Sequence, residues 1–219
     1  MKRRIVLLGP PASGKGTQAE LVAHRFGMLH VSTGAILREE RNRGTDLGKE
    51  AARWTSQGLL FPDALALDVV ECYLDVHGWD AFILDGFPRT AGQARAFDAR
   101  LSSREAMIDR VFSLCLPDEE IKRRVLDRIT CTRCGATFSR GLDEVSDGDA
   151  CRICGARLER RGDDTLAALE RRLAQHRQLT DPVIDYYQQS VGVTVLDAMR
   201  TRDEIFSTLC ELLEERSVV

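Results

Sequence analysis

Apolar and polar positions along the chain alternate between two rhythms. Residues 5–8 form an unbroken apolar run that stops at Gly9, as expected of a buried central strand. Over residues 15–26 the apolar positions Ala19, Leu21, Val22 and Phe26 fall at helical spacing, and Gly27 is a natural stop. Residues 29–32 predict a second short strand, with a helix opening near Thr33. The stretch 44–62 reads as two short helical pieces punctuated by Gly48 and Gly58. A helix over 64–76 has Pro62 near its start and Gly78 just past its end. Strands are expected at 81–84, 111–116 and 193–196, and long helices at 118–128, 163–188 and 202–215. Strands alternating with helices predict an α/β fold with a parallel sheet covered by helices.

The segment 130–160 breaks this rhythm and contains Cys131, Cys134, Cys151 and Cys154, two Cys-x-x-Cys pairs sixteen residues apart. Too short to bury a hydrophobic core of its own, such an insertion needs a staple. Four thiolates in this grouping suit tetrahedral Zn²⁺, and a closed four-ligand site is structural. Gly135 and Gly155 each follow a second cysteine, as tight knuckle turns favour. A redox dithiol pair, disulfides and an iron–sulfur cluster are the alternatives. Cys72, Cys115 and Cys210 lie in apolar stretches and read as small core residues.

Composition narrows the function classes. With 219 residues, 43% hydrophobic and 30% charged, the chain can bury a core. A net charge of −3 argues against an obligate nucleic-acid binder. Asp143, Glu144, Asp147 and Asp149 between the cysteine pairs would repel phosphates, which argues against a zinc-ribbon nucleic-acid module. No apolar run approaches the roughly 18 residues a membrane span needs. The run after Arg3-Arg4 is too short for a signal-peptide core, which predicts a cytosolic protein.

Two motifs carry chemistry. Gly9-Pro10-Pro11-Ala12-Ser13-Gly14-Lys15-Gly16-Thr17 follows a predicted strand and opens a predicted helix. Backbone N–H groups curled at a helix N-terminus hold anions, and Lys15 adds a point charge near the terminal phosphates. The pattern is G-x-x-x-x-G-K, with the usual hydroxyl one place late, at Thr17. Leu84-Asp85-Gly86-Phe87-Pro88-Arg89 closes another strand, at the edge where open parallel sheets bind ligands. There Asp85 could hold water around Mg²⁺ and Arg89 could clamp a phosphoryl group. Arg123, Arg124, Arg128, Arg160, Arg161, Arg171 and Arg172 gather in the second half; Arg124 and Arg128, four apart, are expected on one helical face.

The phosphate loop, Ser32-Thr33-Gly34, Asp85-Gly86-Phe87-Pro88-Arg89-Thr90, Asp163-Asp164 and Tyr186-Tyr187 fall in the order and spacing of the adenylate kinases. Along essentially its whole length the chain resembles that family's long-lid bacterial form, in which the insertion carries a zinc knuckle. The resemblance implies a P-loop three-layer fold of three parts: a core (1–31, 62–128 and 162–219), a small AMP-binding segment (32–61) and a lid (129–161). It implies phosphoryl transfer from Mg·ATP to AMP, giving two ADP. By position, Ala12, Ser13, Gly14, Lys15, Gly16 and Thr17 would line the ATP phosphates, with Arg124, Arg128 and Arg200 completing the ATP site. Thr33, Arg38, Leu59, Leu60, Phe61, Gly86, Phe87, Pro88, Arg89 and Gln93 would hold AMP. Arg161 and Arg172 would meet the transferring group. Mg²⁺ and a structural Zn²⁺ are the implied metals, and a monomer the implied state.

The chain also departs from the family pattern. Ala12, Ala35, Asp127, Ala167 and Ala198 stand where glycine, aspartate, glycine, glutamate and glycine are usual, and the lid lacks an aromatic-proline stretch. If the backbone at Ala12 needs positive φ, alanine costs about 1–2 kcal/mol there. None of these removes a phosphate clamp. A kinase acting on UMP, CMP or another monophosphate is the nearest rival; a P-loop ATPase is a more distant one.

Overall fold

The computed structural model describes residues 3–55, 59, 61–162 and 164–215. Its centre is a five-stranded parallel sheet in the order β2-β3-β1-β4-β8. These strands are β1 (Arg3–Leu8), β2 (Leu29–Ser32), β3 (Ala81–Asp85), β4 (Arg110–Cys115) and β8 (Val193–Asp197). Side chains alternate across the sheet, and both faces are covered. Val6, Leu8, Phe82 and Leu84 join one apolar cluster, whereas Ile5, Leu7 and Ile83 join the other. A strand buried on both sides must be apolar at every position, which explains the unbroken run in β1.

The first cluster is roofed by α4 (Asp63–His77), α5 (Ala91–Ser102) and α9 (Asp181–Gln188). The second is covered by α1 (Lys15–Phe26), α6 (Asp118–Asp127), α8 (Leu166–Gln175) and α10 (Arg202–Glu214). Helix α5 has no counterpart in the sequence reading. Thr90 caps it by accepting from the Gln93 N–H at 3.0 Å, and Ala94, Phe97 and Leu101 bury its inner face. The helix expected at 163–188 is interrupted: α8 passes through a π-helical turn, His176–Thr180, into α9. Asp163 lies outside the described residues.

Helices α2 (Thr33–Asn42) and α3 (Asp46–Thr55) pack against one another beyond β2. Gly48 does not break α3, contrary to the two-piece reading. A Cβ there would sit 2.3 Å from the backbone of Glu40 and Arg41, so the glycine is what lets the two helices approach. Gly58 lies outside the described residues.

The insertion is a three-stranded antiparallel sheet, β6-β5-β7, formed by β5 (Arg128–Cys131), β6 (Thr137–Ser139) and β7 (Leu158–Glu159). A single helical turn, α7 (Arg140–Asp143), follows β6. The insertion does own a small core, contrary to expectation: Ile129, Cys131, Val145, Cys151 and Leu158 are buried together. Two of the four paired cysteines, Cys131 and Cys151, belong to that core, so the cysteine cluster and the apolar cluster are one unit. Cys72 and Cys115 are exposed and Cys210 only half-buried, which corrects their assignment to the main core. Among the described residues, no helix is long and apolar enough to cross a membrane.

Candidate functional site

The register of the parallel sheet brings the motifs to one edge. Ser32 pairs with Asp85 across β2 and β3, and Leu7 with Asp85 across β1 and β3, so three strands end together. The strand order reverses direction about β1, the place where such sheets open a ligand crevice.

The loop after β1 turns sharply into α1. Ala12 adopts φ 58°, the left-handed conformation that alanine occupies only at a cost. Gly14 is the N-cap of α1, and Ser13 is buried. Lys15 Nζ donates to the carbonyls of Gly9 and Pro10, each at 2.7 Å, folding the side chain back across the loop. Burial, only partly offset by Asp85, lowers the Lys15 pKa to about 8, with Arg89 and Arg128 pushing the same way. The glycine after the lysine, where the general phosphate-loop pattern has a hydroxyl, has a local reason. A Cβ on Gly16 would meet Asp85 Oδ2 at 3.3 Å, so glycine leaves room for that carboxylate. Thr17 is exposed on the first turn of α1.

Asp85 lies 3.6 Å from His30 Nε2. Burial acts to raise its pKa, but His30, Lys15 and Ser32 outweigh it and hold the carboxyl below its usual range. A magnesium ion commonly takes one or two carboxylates and satisfies its other positions with water and phosphate. Asp85, ionised beside the phosphate loop, fits that role.

Beyond Asp85 the chain turns through Gly86. Arg89 Nε returns to the Gly86 carbonyl at 2.7 Å, and Thr33 Oγ1 donates to the same carbonyl at 3.1 Å. Burial among neighbouring atoms lowers the Arg89 pKa, aided by the charges of Arg172 and Arg38 and opposed by Asp85. The group still opens to the cleft surface, as a ligand clamp must. Arg38 also approaches Gly34, whose added Cβ would meet Nη1 at 3.1 Å.

Gln93 is buried and already engaged. Its Oε1 accepts from the Arg89 N–H at 2.7 Å and its Nε2 donates to Asp63 Oδ1 at 2.8 Å. Asp63 also accepts from Thr90 Oγ1 at 2.7 Å. Phe87 turns away from the cleft and packs edge-on against Phe97 in the core, with Pro88 buried beside it. Phe61 is likewise a core residue, whereas Leu59 is exposed and Leu60 lies outside the described residues.

Arg124 and Arg128 do not share a helical face. Helix α6 ends at Asp127, and Arg128 opens β5 with extended backbone. Arg124 is held by Glu120 at 2.7 Å and donates to the Ala198 carbonyl at 2.9 Å, reaching the segment that holds Arg200. The Arg200 side chain itself turns to Thr208 Oγ1 at 3.1 Å. Arg128 forms a two-pronged pair with Asp164, Nε donating at 2.7 Å and Nη2 reaching the other oxygen. Arg172 Nη1 lies 3.6 Å from the same carboxylate. Asp164 therefore aligns two of the expected cations, a role its sequence position alone did not reveal. Arg161 Nε donates to Thr130 Oγ1 at 2.9 Å, placing it on the insertion's own strands. Asp127, which stands where glycine is usual, accepts from Ser139 Oγ and from the Gly141 N–H at 3.1 Å.

Charge thus converges on one cleft: Lys15, Arg38, Arg89, Arg128 and Arg172 interact electrostatically around Asp85 and Asp164. Such a preorganised cationic cluster stabilises a migrating phosphoryl group.

At the insertion, the ligand sulfurs of Cys131, Cys134, Cys151 and Cys154 all lie within 4.8 Å of one another. The Cys131–Cys154 and Cys134–Cys151 separations are 3.4 and 3.7 Å. Zn–S bonds of about 2.3 Å place tetrahedral sulfurs roughly 3.8 Å apart, so the set fits zinc. Gly135 and Gly155 both turn at φ 73°, and the N–H groups of Arg133 and Ile153 point at Cys131 and Cys151 sulfur at 3.4 Å. Burial acts against ionisation of Cys131, but the backbone N–H groups of Cys134 and Arg133, with the neighbouring Cys154 and Cys134 thiols, outweigh it and lower the thiol to about 6. Cys134 is pushed up to about 12: a backbone N–H from Ala136 favours its thiolate, but burial and the other three sulfurs prevail. Four thiolates this close need a cation.

Known proteins place this geometry. The family model for adenylate kinase matches residues 7–191. Adenylate kinase of Methanothrix thermoacetophila is 39% identical over 214 residues, covering 96% of this chain and 98% of the relative. Adenylate kinase of Caldicellulosiruptor bescii is 39% identical over 212 residues, covering 96% and 97%. Adenylate kinase of Clostridium botulinum (strain Eklund 17B / Type B) is 35% identical over 214 residues, covering 97% and 100%. With a parallel sheet, a phosphate loop and a cysteine-bearing insertion in matching order, the chain belongs to the adenylate kinase family of nucleoside monophosphate kinases.

Proposed function

We propose that the protein catalyses Mg·ATP + AMP ⇌ 2 ADP. The observation that carries this reading is the convergence of Lys15, Arg89, Arg128 and Arg172 on the carboxyl edge of the sheet, between the two motif loops. A phosphate oxygen of AMP is already anionic near neutral pH, so the acceptor needs no dedicated general base. Catalysis then rests on in-line positioning and charge stabilisation. Residues 12–17 and Lys15 grip the ATP phosphates. Arg124, with the backbone near Ala198 and Arg200, borders the ATP base. Arg38 and Arg89 hold the AMP phosphate, and Arg128, Arg161 and Arg172 surround the transferring group. Asp85 would hold Mg²⁺ through water, where the ion neutralises phosphate charge when bound.

Residues 32–61 form the monophosphate-binding segment and 129–161 a lid whose closure excludes water, so that ATP is not hydrolysed instead. Zinc on Cys131, Cys134, Cys151 and Cys154 makes that lid a rigid body. Thr33 and Gln93 favour adenine as the acceptor base. The engagement of Gln93 by Asp63 favours a second reading, a kinase for another monophosphate, because reading adenine through that amide requires releasing Asp63.

A coupled ADP-formation assay with Mg·ATP and each of AMP, GMP, CMP and UMP separates the two. The first reading expects kcat/KM for AMP to exceed the others by at least about tenfold. Preference for a pyrimidine monophosphate transfers the assignment to the second.

A further inference from the structure

The π-helical turn between α8 and α9 touches both phosphate-gripping loops. Thr180 Oγ1, at its end, donates to the Arg89 carbonyl at 3.1 Å. His176, at its start, faces the Gly9 carbonyl and the charges of Lys15 and Arg89. Arg172, His176 and Thr180 recur at i, i+4 and i+8, so one helix face presents all three to the cleft. Widened turns of this kind concentrate at functional sites.

His176 is held on one side only. Its Nδ1 lies 3.2 Å from Asp181 Oδ1, and its side chain is 15% exposed. Its Nε2 is buried without a hydrogen-bond partner among the described residues. The Gly9 carbonyl it faces already accepts from Lys15 Nζ at 2.7 Å, which sets a positive charge beside the ring. With Asp181 accepting from Nδ1–H, a neutral ring turns a lone pair toward that carbonyl and can donate nothing to it.

We propose that His176 is a positioning residue of the phosphate loop: as nucleotide phosphates bind, it gains a proton and donates from Nε2 to the Gly9 carbonyl that Lys15 leaves. The proton comes from solvent, and Lys15 keeps its own. The proposal rests on the reading that Lys15 turns to the ATP phosphates. In the open cleft, burial disfavours the imidazolium, and Lys15 and Arg89 add to that; Asp181 and the Gly9 carbonyl oppose it. Arg172 lies one turn earlier on the same helix. Phosphate anions offset these cations and reverse the balance. Without a replacement donor, the Gly9 carbonyl would stay buried and unpaired once Lys15 departs.

The test is calorimetric binding of a non-hydrolysable ATP analogue at pH 6.5, in buffers of different ionisation heat, to wild type, His176→Phe and His176→Gln. At that pH Lys15 is protonated in both states and contributes little. Wild type should take up roughly half a proton or more beyond His176→Phe. His176→Phe should bind about tenfold more weakly, and His176→Gln, whose amide can donate to Gly9, should recover most affinity but not the proton. Equal affinity and equal proton uptake in wild type and His176→Phe overturn the proposal, as does His176→Gln binding no better than His176→Phe. A wild-type chain that binds no analogue overturns the ATP-site reading itself, a separate and visible failure.

Discussion

Asp164→Asn removes one charge and almost no volume, yet it strikes the joint that aligns two catalytic candidates. The Asp164 side chain is fully buried, and those of Arg128 and Arg172 are 14% and 21% exposed. Breaking one side of a buried ion pair typically costs 3–5 kcal/mol, because the partner charge stays buried. Here the arginines retain some solvent and the amide oxygen can still accept one hydrogen bond, so about 3 kcal/mol is expected. For a chain of this size that lowers Tm by about 6–12 °C. Arg128 and Arg172 would lose their shared anchor, and kcat should fall by about 10- to 100-fold with a smaller change in KM. Asp118→Asn is the control. Its partner Arg177 and Asp118 itself are 60% and 45% exposed, so Tm should move by no more than ~2 °C. Thermal melts and steady-state kinetics on both variants decide the matter. An Asp164→Asn protein melting within 2 °C of wild type, with unchanged kcat, would refute the claim that this carboxylate organises the cations.

Lys15→Met should be more stable than wild type at pH 7, by about 1–3 kcal/mol. The folded pKa of Lys15 is lowered to about 8 from 10.5, so the unfolded chain binds more protons between those values and wild-type stability rises with pH there. The advantage of the variant should therefore shrink between pH 8 and 10.5 in a series of melts, while activity is lost; a constant gap would contradict the assignment. Ala12→Gly should raise Tm by about 1–4 °C. It relieves about 1–2 kcal/mol of left-handed strain and gives back about 0.4–1 kcal/mol in unfolded-chain entropy; a lower Tm would show the conformation to be unstrained. Metal analysis should find about one zinc per chain, and a chelator should lower Tm before it lowers kcat at 25 °C; full activity loss in a lid that still melts at its original temperature would make the metal more than structural.

Much of this was legible from short contiguous signals. The unbroken run of β1, the loop ending in Lys15 and the Asp85–Arg89 string are local, and a parallel sheet carries their ends to one edge whatever the helices do. The cysteine spacing likewise foretells a four-sulfur cluster, because two knuckles need only their own turns to form. Features set by tertiary packing are not visible in any local pattern. Gly48 resembles a helix breaker, but its missing Cβ serves the approach of α2 to α3. Helix α5 is hidden in the sequence because alanines dilute its apolar face, leaving Phe97 and Leu101 as its large buried residues. Arg124 and Arg128 look like one helical face, but α6 ends at Asp127 and Arg128 is the first residue of β5. Asp164 and His176 gain their roles from partners far along the chain, Arg128 and Gly9, and no local pattern announces either.

The central claim is that one cleft takes two nucleotides end to end, with their phosphates between Lys15 and Arg89. Calorimetric titration with a diadenosine polyphosphate long enough to join both sites measures it directly. One molecule should bind per chain, about 100-fold or more tighter than ATP or AMP alone, because the linkage makes the second contact intramolecular. Excess ATP or excess AMP should each displace it, and Arg89→Ala should weaken it sharply. Two molecules per chain, or displacement by ATP alone, would contradict the account.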